Sequence, residues 1–261
     1  MTTQTTNFSV KPDVTAFFDP ATNTISYVVK DPNSESCAVV DSVMDIDYFA
    51  GRITYEHADE IIAFIKDRGL KLEWIIETHV HADHLSGAPY IKLKTGAKVA
   101  IGERIKEVQK IFRPVFNAID VSGEGSEFDI LFKDGDTFTI GKLTGDVLAT
   151  PGHTPACVSY RIGDAVFVGD TMFMPDYGTA RADFPGGDAR ILYRSIRRVL
   201  ELPGHTRLFM CQDYGPNGRD IKWETTVDDE RQHNIHVRDG VSEDEFVRLR
   251  EERDKSLGMP K

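Results

Sequence analysis

The chain has 261 residues, 40% of them hydrophobic, and is long enough to bury a large core. Its formal net charge of -11 at pH 7 argues against nucleic acid or an anionic membrane as a partner, because both would repel it. Three scattered cysteines and an N-terminus without an apolar segment predict a cytoplasmic protein that has no disulfide framework, signal peptide or membrane span.

The first half of the chain begins with strands and continues as alternating helices and strands. Short polar turns between β-branched runs indicate an antiparallel meander, and apolar residues spaced three and four apart indicate helices. The predicted elements are a meander over 7–41, helices over 55–66, 85–94 and 103–112 (ended by Arg113-Pro114), and strands over 72–77 and 98–101.

The second half repeats this combination of sheet and helix after a polar, glycine-rich loop over 117–127, which we expect to be mobile and able to gate a pocket. The predicted elements are strands over 136–140, 147–150, 157–162, 165–168 and 208–211, a helix over 189–202, and a C-terminal helix over 242–256 that starts with a Ser242/Glu245 capping box. Sheet and helix in both halves predict one domain over 1–261, with two α/β layers packed sheet to sheet as an αββα sandwich.

Three of the eight histidines lie in the segment directly after the predicted strand over 72–77. Alternate residues of an extended segment point to the same side, so His79, His81 and Asp83 can converge at the end of the strand, with His84 where the next helix would start. Imidazole and carboxylate ligands without thiolate suit zinc, iron or manganese. A solvated polar loop is the alternative, but four such side chains at this spacing favour a metal site.

Further ligand candidates follow later strands. His153 lies in a rigid turn of two prolines and a glycine, although a lone turn histidine is more often a surface residue. Asp170 follows an apolar strand, where a buried carboxylate needs a partner such as a metal, and a turn-forming Gly-Asp pair is the alternative. His205 is predicted to lie in a helix-end turn, and His233 and His236 at the surface.

The ordered motifs His79-x-His81-x-Asp83-His84, Pro151-Gly152-His153-Thr154 and Val168-Gly169-Asp170 resemble the metallo-β-lactamase superfamily. That resemblance implies the αββα fold. The superfamily contains zinc hydrolases of lactams, thioesters and lactones, and also iron enzymes, so these motifs indicate the fold better than the reaction.

A narrower resemblance is to the persulfide dioxygenases, a sulfur-dioxygenase family related to glyoxalase II, and to the bacterial β-lactamase-like proteins tied to sulfide detoxification. It is carried by the segments 78–84, 152–158, 178–184, 187–195 and 213–215. It implies one Fe(II) per chain held by His79, His153 and Asp170, oxidation of glutathione persulfide with O2 and water to sulfite and glutathione, and a homodimer. It also implies that Arg181 supports the site and that Tyr214 reaches towards the metal.

The chain departs from this pattern at Gln212. Members of the superfamily usually carry a histidine here, just before the Asp-Tyr pair, and in binuclear hydrolases it binds the second metal. Glutamine is a much poorer ligand for zinc or iron, so the change weakens a two-metal interpretation. The side chains that would support the first metal or complete a second site are His81, Asp83, His84, Gln212 and Asp213.

Several functional questions stay open in the sequence. Arg219 and Lys222 are candidates for holding the carboxylates of glutathione, with a solvated surface as the alternative. The main alternative function is a Zn(II)-dependent, glyoxalase II-like hydrolase of a thioester or lactone, in which the metal activates water. A metal- or sulfur-binding sensor without turnover is a third possibility, which no residue favours.

Overall fold

The computed structural model of the chain describes residues 9–258. The strands of this region are β1 Asp13–Asp19, β2 Thr24–Lys30, β3 Ser36–Val40, β4 Val43–Asp47, β5 Arg52–Thr54, β6 Lys71–Ile76, β7 Leu85–Ser86, β8 Lys98–Gly102, β9 Ile130–Phe132, β10 Thr137–Ile140, β11 Leu143–Ala149, β12 Val158–Ile162, β13 Ala165–Phe167, β14 Arg207–Phe209 and β15 Glu224–Thr226. The helices are α1 Glu56–Asp67, α2 Ala88–Thr95, α3 Ile105–Val115, α4 Ala189–Leu200, α5 Val227–His233 and α6 Glu243–Asp254, with 3-10 turns at Gly169–Thr171 and Pro216–Gly218.

The strands form two six-stranded sheets and one small sheet. The first large sheet has the order β1-β2-β3-β6-β8-β9, and its first three strands are the antiparallel meander predicted from the sequence. The second has the order β10-β11-β12-β13-β14-β15 and is antiparallel except between β13 and β14. A three-stranded sheet, β5-β4-β7, lies beside them.

Three apolar layers hold the sandwich together. Buried residues of both large sheets, such as Tyr27 and Phe167, pack against one another in the central layer. Ile61 of α1 and Ile91 of α2 cover the outer face of the first sheet, while Leu192 of α4 and Phe246 of α6 cover that of the second. Burial of each amphipathic face stabilises this arrangement, and the αββα prediction is confirmed.

Loops that follow strands of both sheets meet at one edge of the sandwich. There the backbone N–H of Val158 donates to the Thr78 carbonyl (2.9 Å), and the Tyr160 hydroxyl donates to the Glu77 carbonyl (2.9 Å). These bonds join the histidine segment after β6 to the second sheet, so loops from both sheets are held in register at this edge.

Some predicted boundaries are wrong. The helix predicted over 85–94 begins only at Ala88, because Leu85 and Ser86 pair with β4. Helix α3 continues past the predicted stop and contains Pro114, which has no backbone N–H to donate within the last turn, and the helix ends one residue later at Val115. The sequence analysis did not predict the short strands β4, β5, β7, β9 and β15 or helix α5.

The C-terminal helix carries the predicted capping box, with reciprocal hydrogen bonds between Ser242 and Glu245.

Between residues 9 and 258, no helix is both long and apolar enough to cross a bilayer. Residues 1–8 and 259–261, including the N-terminus interpreted above, lie outside the described residues.

Candidate metal centre

His79, His153 and Asp170 reach the same point from three different loops. The Asp170 Oδ2 atom lies 3.9 Å from His79 Nε2 and 3.8 Å from His153 Nε2. All three side chains are buried, and one potential ligand atom of each lies within 4.8 Å of the others. The distances leave room for one ion between two imidazoles and a carboxylate.

The orientation of His79 is set by its neighbour Thr78. The Thr78 hydroxyl donates to Asp41 Oδ2 (2.8 Å) and lies 3.0 Å from His79 Nδ1. Because that hydroxyl proton is used by Asp41, the hydroxyl oxygen accepts from His79 Nδ1–H. The lone pair of His79 therefore lies on Nε2, the nitrogen that faces Asp170.

His153 is fixed in the same way from the second sheet. Its Nδ1–H donates to the backbone carbonyl of Arg181 at 2.8 Å, which leaves the Nε2 lone pair towards Asp170. The preceding Gly152 has φ +138°, and a Cβ there would lie 2.3 Å from the Leu192 Cα. Only glycine fits at that position, so the turn brings His153 close to α4.

Burial sets the charge state of the three side chains. Desolvation, with the nearby charge of His81, holds the pKa of His79 well below its usual value, and burial lowers the pKa of His153 to about 4. Desolvation, followed by the charge of Asp83, raises the pKa of Asp170 to about 8. Among residues 9–258, the buried Oδ1 of Asp170 has no hydrogen-bond partner. Two neutral imidazoles and an unsatisfied carboxylate suit a divalent metal, and the residues present fit one.

His81 lies next to this triad and faces two carboxylates. Its Nε2 atom is 3.4 Å from Asp41 Oδ1 and 3.4 Å from Glu77 Oε2. Burial opposes its positive charge, but these two carboxylates outweigh burial and raise the pKa of His81 well above its usual value.

A second group of ligand atoms is formed by His81, Asp83 and His84. His84 Nδ1–H donates to the Leu85 carbonyl (3.0 Å), and its buried Nε2 has no partner in the described part of the chain. Burial and the charge of His81 lower the pKa of His84 to about 4. The second group thus contains a neutral imidazole with a free lone pair beside the first site.

Gln212 contacts the carboxylate of this second group. Its side-chain amide donates to Asp83 Oδ2, and its carbonyl oxygen accepts from the Tyr214 hydroxyl at 2.7 Å. The amide therefore satisfies an oxygen that a second metal would need. Asp213 is turned away from the centre, accepting from the Arg219 guanidinium at 2.6 and 2.8 Å.

A cleft of about 1030 Å³ opens onto the centre. Its inner end is lined by Asp83, His153, Asp170 and Gln212. Aromatic side chains form much of its wall, namely Tyr48, Phe49, Phe173, Tyr177, Phe184 and Tyr214. The loop over 117–127, predicted to gate a pocket, contributes no residue to the lining.

Arg181 acts on the centre through its backbone rather than its side chain. Its carbonyl orients His153, while its guanidinium pairs with Asp183 (2.6 and 2.8 Å) and donates to the Gly258 carbonyl (2.8 Å).

Arg219 and Lys222 do not line the cleft, and Arg219 is neutralised by Asp176 and Asp213. The structure does not bring these two basic residues to the centre.

The remaining histidines differ from one another. His205 lies in a turn after α4 and His233 is exposed, as predicted. The prediction for His236 is wrong, because it is 4% exposed and its Nδ1 accepts from the Thr179 backbone N–H at 3.1 Å. The sequence analysis also missed Asp41, although it follows a buried strand just as Asp170 does.

All three cysteines are buried free thiols. Burial raises the pKa of Cys37 and of Cys157 to about 12, and that of Cys211 well above its usual value. Cys211 lies near Asp41 and His81, but none of the cysteines lines the cleft. The thiols are therefore protonated and shielded from a molecule in the cleft.

A buried histidine–aspartate metal centre at the edge of an αββα sandwich defines a class of metal-dependent enzymes. The chain belongs to the metallo-beta-lactamase superfamily, whose family model matches residues 20–210.

Four similar proteins illustrate its place in that superfamily. A probable metallo-hydrolase of Burkholderia pseudomallei is 53% identical over 95% of this chain and 88% of that protein. The human mitochondrial persulfide dioxygenase ETHE1 is 28% identical over 94% of this chain and 81% of that protein. The crystal structure of ETHE1 from Myxococcus xanthus superposes with a TM-score of 0.76 at 28% identity, covering 95% of this chain and 93% of that one. The chain spans 58% of the length of the beta-lactamase hydrolase-like protein of Xylella fastidiosa, with which it shares 51% identity.

Proposed function

We propose that the chain is a non-haem iron persulfide dioxygenase that oxidises glutathione persulfide with O2 to sulfite and glutathione. The observation that carries the proposal is the hydrogen bond from Gln212 to Asp83, which satisfies the carboxylate of the second ligand group. One complete set of ligands remains, formed by His79, His153 and Asp170. Similarity to persulfide dioxygenase ETHE1 supports the same function.

The ligand set suits iron in this role. Two imidazoles and one carboxylate are the ligands of non-haem Fe(II) oxygenases, which keep coordination positions open. A bound Fe(II) would supply the activation of dioxygen, and the protein supplies ligand geometry and the surrounding hydrogen bonds.

The residues around the centre bind and orient the substrate. The persulfide enters along an aromatic wall that includes Tyr177, Phe184 and Tyr214. The outer sulfur gives up four electrons to O2, water supplies the third oxygen of sulfite, and two protons are released with sulfite and glutathione. Because no cysteine lines the cleft, the outer sulfur stays on its carrier until it is oxidised.

A zinc-dependent hydrolase of a glutathione thioester or a lactone is the second candidate function. The unpartnered Nε2 of His84 favours it, because this nitrogen is a spare ligand for a second ion. The Burkholderia relative is described as a probable metallo-hydrolase, which agrees with this function. The hydrogen bond from Gln212 to Asp83 counts against a second metal and therefore against this function.

The two functions are separated by loading metal-free protein with either ion. One sample receives Fe(II) under nitrogen and the other Zn(II), and each is given glutathione persulfide with and without O2, and separately a glutathione thioester. We expect O2-dependent sulfite formation only in the iron sample and little thioester hydrolysis in either. Rapid thioester hydrolysis by the zinc sample, without sulfite from the iron sample, would overturn the proposal.

A further inference from the structure

The part of the cleft lined by the C-terminal helix is rich in arginine. Arg181, Arg250 and Arg253 all contribute to the lining there. Arg181 is paired with Asp183 and Arg250 with Asp254. The partly buried Arg253 has no carboxylate within 4.0 Å in the described part of the chain, so its charge is available to a ligand.

A continuous wall of side chains joins Arg253 to the metal centre. The Arg253 guanidinium carbon lies 5.7 Å from the centre of the Tyr177 ring. The Tyr177 ring stacks on Tyr214 at 4.6 Å and 21°. The Tyr214 hydroxyl in turn contacts Gln212, which holds Asp83. A molecule lying along this wall meets the guanidinium at one end and the ligand cluster at the other.

The position of Arg253 is fixed by the packing of α6. Arg250, one turn earlier, donates to the Thr179 carbonyl (2.9 Å) and pairs with Asp254. Asp254 also accepts from the Ala182 backbone N–H at 3.0 Å. The helix is therefore tied to the cleft wall on both sides of Arg253, so its backbone position at the cleft is set before a ligand binds.

The charges at the end of the cleft where Arg253 lies favour an anionic ligand. Burial is the main cause of the lowered pKa of Arg250 and of His236, and the positive charge of Arg253 adds to it in both. Because Arg181 and Arg250 are each paired with an aspartate, Arg253 leaves this end of the cleft with a net positive charge. Other parts of the lining are acidic and would repel a carboxylate, namely Asp19, Asp45, Asp47 and Glu56. The charge distribution thus selects one place along the cleft for a carboxylate.

We propose that Arg253 is a specificity-determining residue that binds a carboxylate of the thiol carrier, placing its outer sulfur at the metal centre. This inference rests on the proposed function and deepens it: the substrates are persulfides of carboxylate-bearing thiols such as glutathione, and uncharged persulfides are poor substrates. Charge-assisted hydrogen bonds from the guanidinium to the carboxylate make persulfides that carry a carboxylate bind more tightly than uncharged persulfides.

The test compares Arg253→Ala with Arg248→Ala, a matched control on an exposed face of the same helix that does not line the cleft. Steady-state rates are measured with glutathione persulfide and with the persulfide of 2-mercaptoethanol, which has no carboxylate. Binding of unreactive S-methylglutathione to the metal-free proteins is measured by calorimetry. We expect Arg253→Ala to raise KM for glutathione persulfide about tenfold with kcat nearly unchanged, and to weaken S-methylglutathione binding about tenfold, while Arg248→Ala behaves as wild type.

The outcomes separate this inference from the proposed function. Equal KM values and equal S-methylglutathione affinities in the two variants would overturn the role of Arg253. Equal losses with the charged and the uncharged persulfide would do the same, because they indicate a structural effect. A wild-type protein that oxidises neither persulfide but binds S-methylglutathione through Arg253 would support the carboxylate subsite and overturn the dioxygenase function.

Discussion

The side-chain amide of Gln212 donates a hydrogen bond to the carboxylate of Asp83. Asp83 belongs to the second ligand group, beside the triad of His79, His153 and Asp170. An amide at this position is a much poorer ligand for zinc or iron than an imidazole, and it also satisfies a carboxylate oxygen that a second metal would need. We therefore expect this contact to limit the number of metals per chain.

Substitution of Gln212 by histidine is expected to build a second metal site. Gln212→His offers an imidazole next to His84, whose buried Nε2 has no partner among residues 9–258. Zinc content measured by elemental analysis after loading should rise from about one to about two per chain.

Gln212→Ala is the control, because it removes the amide from Asp83 without adding a ligand. It should keep about one metal per chain. If Gln212→His also binds only one zinc, the assignment of Gln212 as the residue that limits metal number is wrong.

The positions of the candidate ligands follow from the sequence because each lies in a loop or turn shortly after an apolar strand. Strand β6 precedes His79 and strand β13 precedes Asp170, and strand ends meet at one edge of a packed sandwich. The distinct role of each histidine does not follow in this way. His79 and His81 alternate in one segment, yet only contacts with Thr78, Asp41 and Glu77 from other parts of the fold decide which nitrogen each presents.

Charged helices and exposed basic residues are harder to interpret from sequence. Arg219 is a candidate from the sequence for holding a carboxylate of glutathione, but its guanidinium is neutralised by Asp176 and Asp213. Arg253 lies in a charged segment typical of a solvated helix, and only the packing of α6 brings it to the cleft. Ion pairing and helix placement are tertiary properties, so a pattern of charges alone does not predict them.

Thr78 is expected to control metal affinity through His79. Thr78→Val removes the hydroxyl that accepts from His79 Nδ1–H, and metal affinity measured by chelator competition should fall about 10- to 100-fold. Thr78→Ser keeps the hydroxyl and should bind within about threefold of wild type. Equal affinities of the two variants would show that the hydroxyl does not orient His79.

Metal binding should release one proton at neutral pH. Between about pH 5 and 8 His153 is already neutral, because its pKa is lowered to about 4, whereas Asp170 keeps its proton up to about pH 8. Affinity should therefore rise about tenfold per pH unit and level off above about pH 8. Calorimetry at pH 6.5 in buffers of different ionisation enthalpy measures this proton, and release of none would contradict the charge state of Asp170.

The pH dependence of the free energy of unfolding of the metal-free protein should reflect the same two groups, Asp170 and His153. The folded protein holds the Asp170 proton between its ordinary pKa of 3.8 and about 8, so this group lowers stability as the pH rises through that window. The lowered pKa of His153 acts in the opposite direction between about 4 and 6.5. Above pH 6.5 the His153 contribution has ended and the Asp170 contribution continues, so urea unfolding should show less loss of stability with rising pH in Asp170→Asn than in wild type.

The cysteines are expected to be unreactive in the folded protein. Burial raises the pKa of Cys37 and Cys157 to about 12, and Cys211 is also buried. A thiol reagent at pH 8 should label no cysteine in the native protein and all three after denaturation. Rapid labelling of a native thiol that is blocked by glutathione persulfide would contradict a mechanism without an enzyme-bound persulfide.

The central claim is a single iron that oxidises a persulfide with dioxygen. The most direct measurement purifies the protein without oxygen, determines its metals by elemental analysis, and follows O2 uptake and sulfite in the same sample after glutathione persulfide is added. We predict close to one iron per chain, with one sulfite formed for each O2 consumed. Two zinc ions per chain, with no O2 uptake and with rapid hydrolysis of a thioester, would contradict the claim.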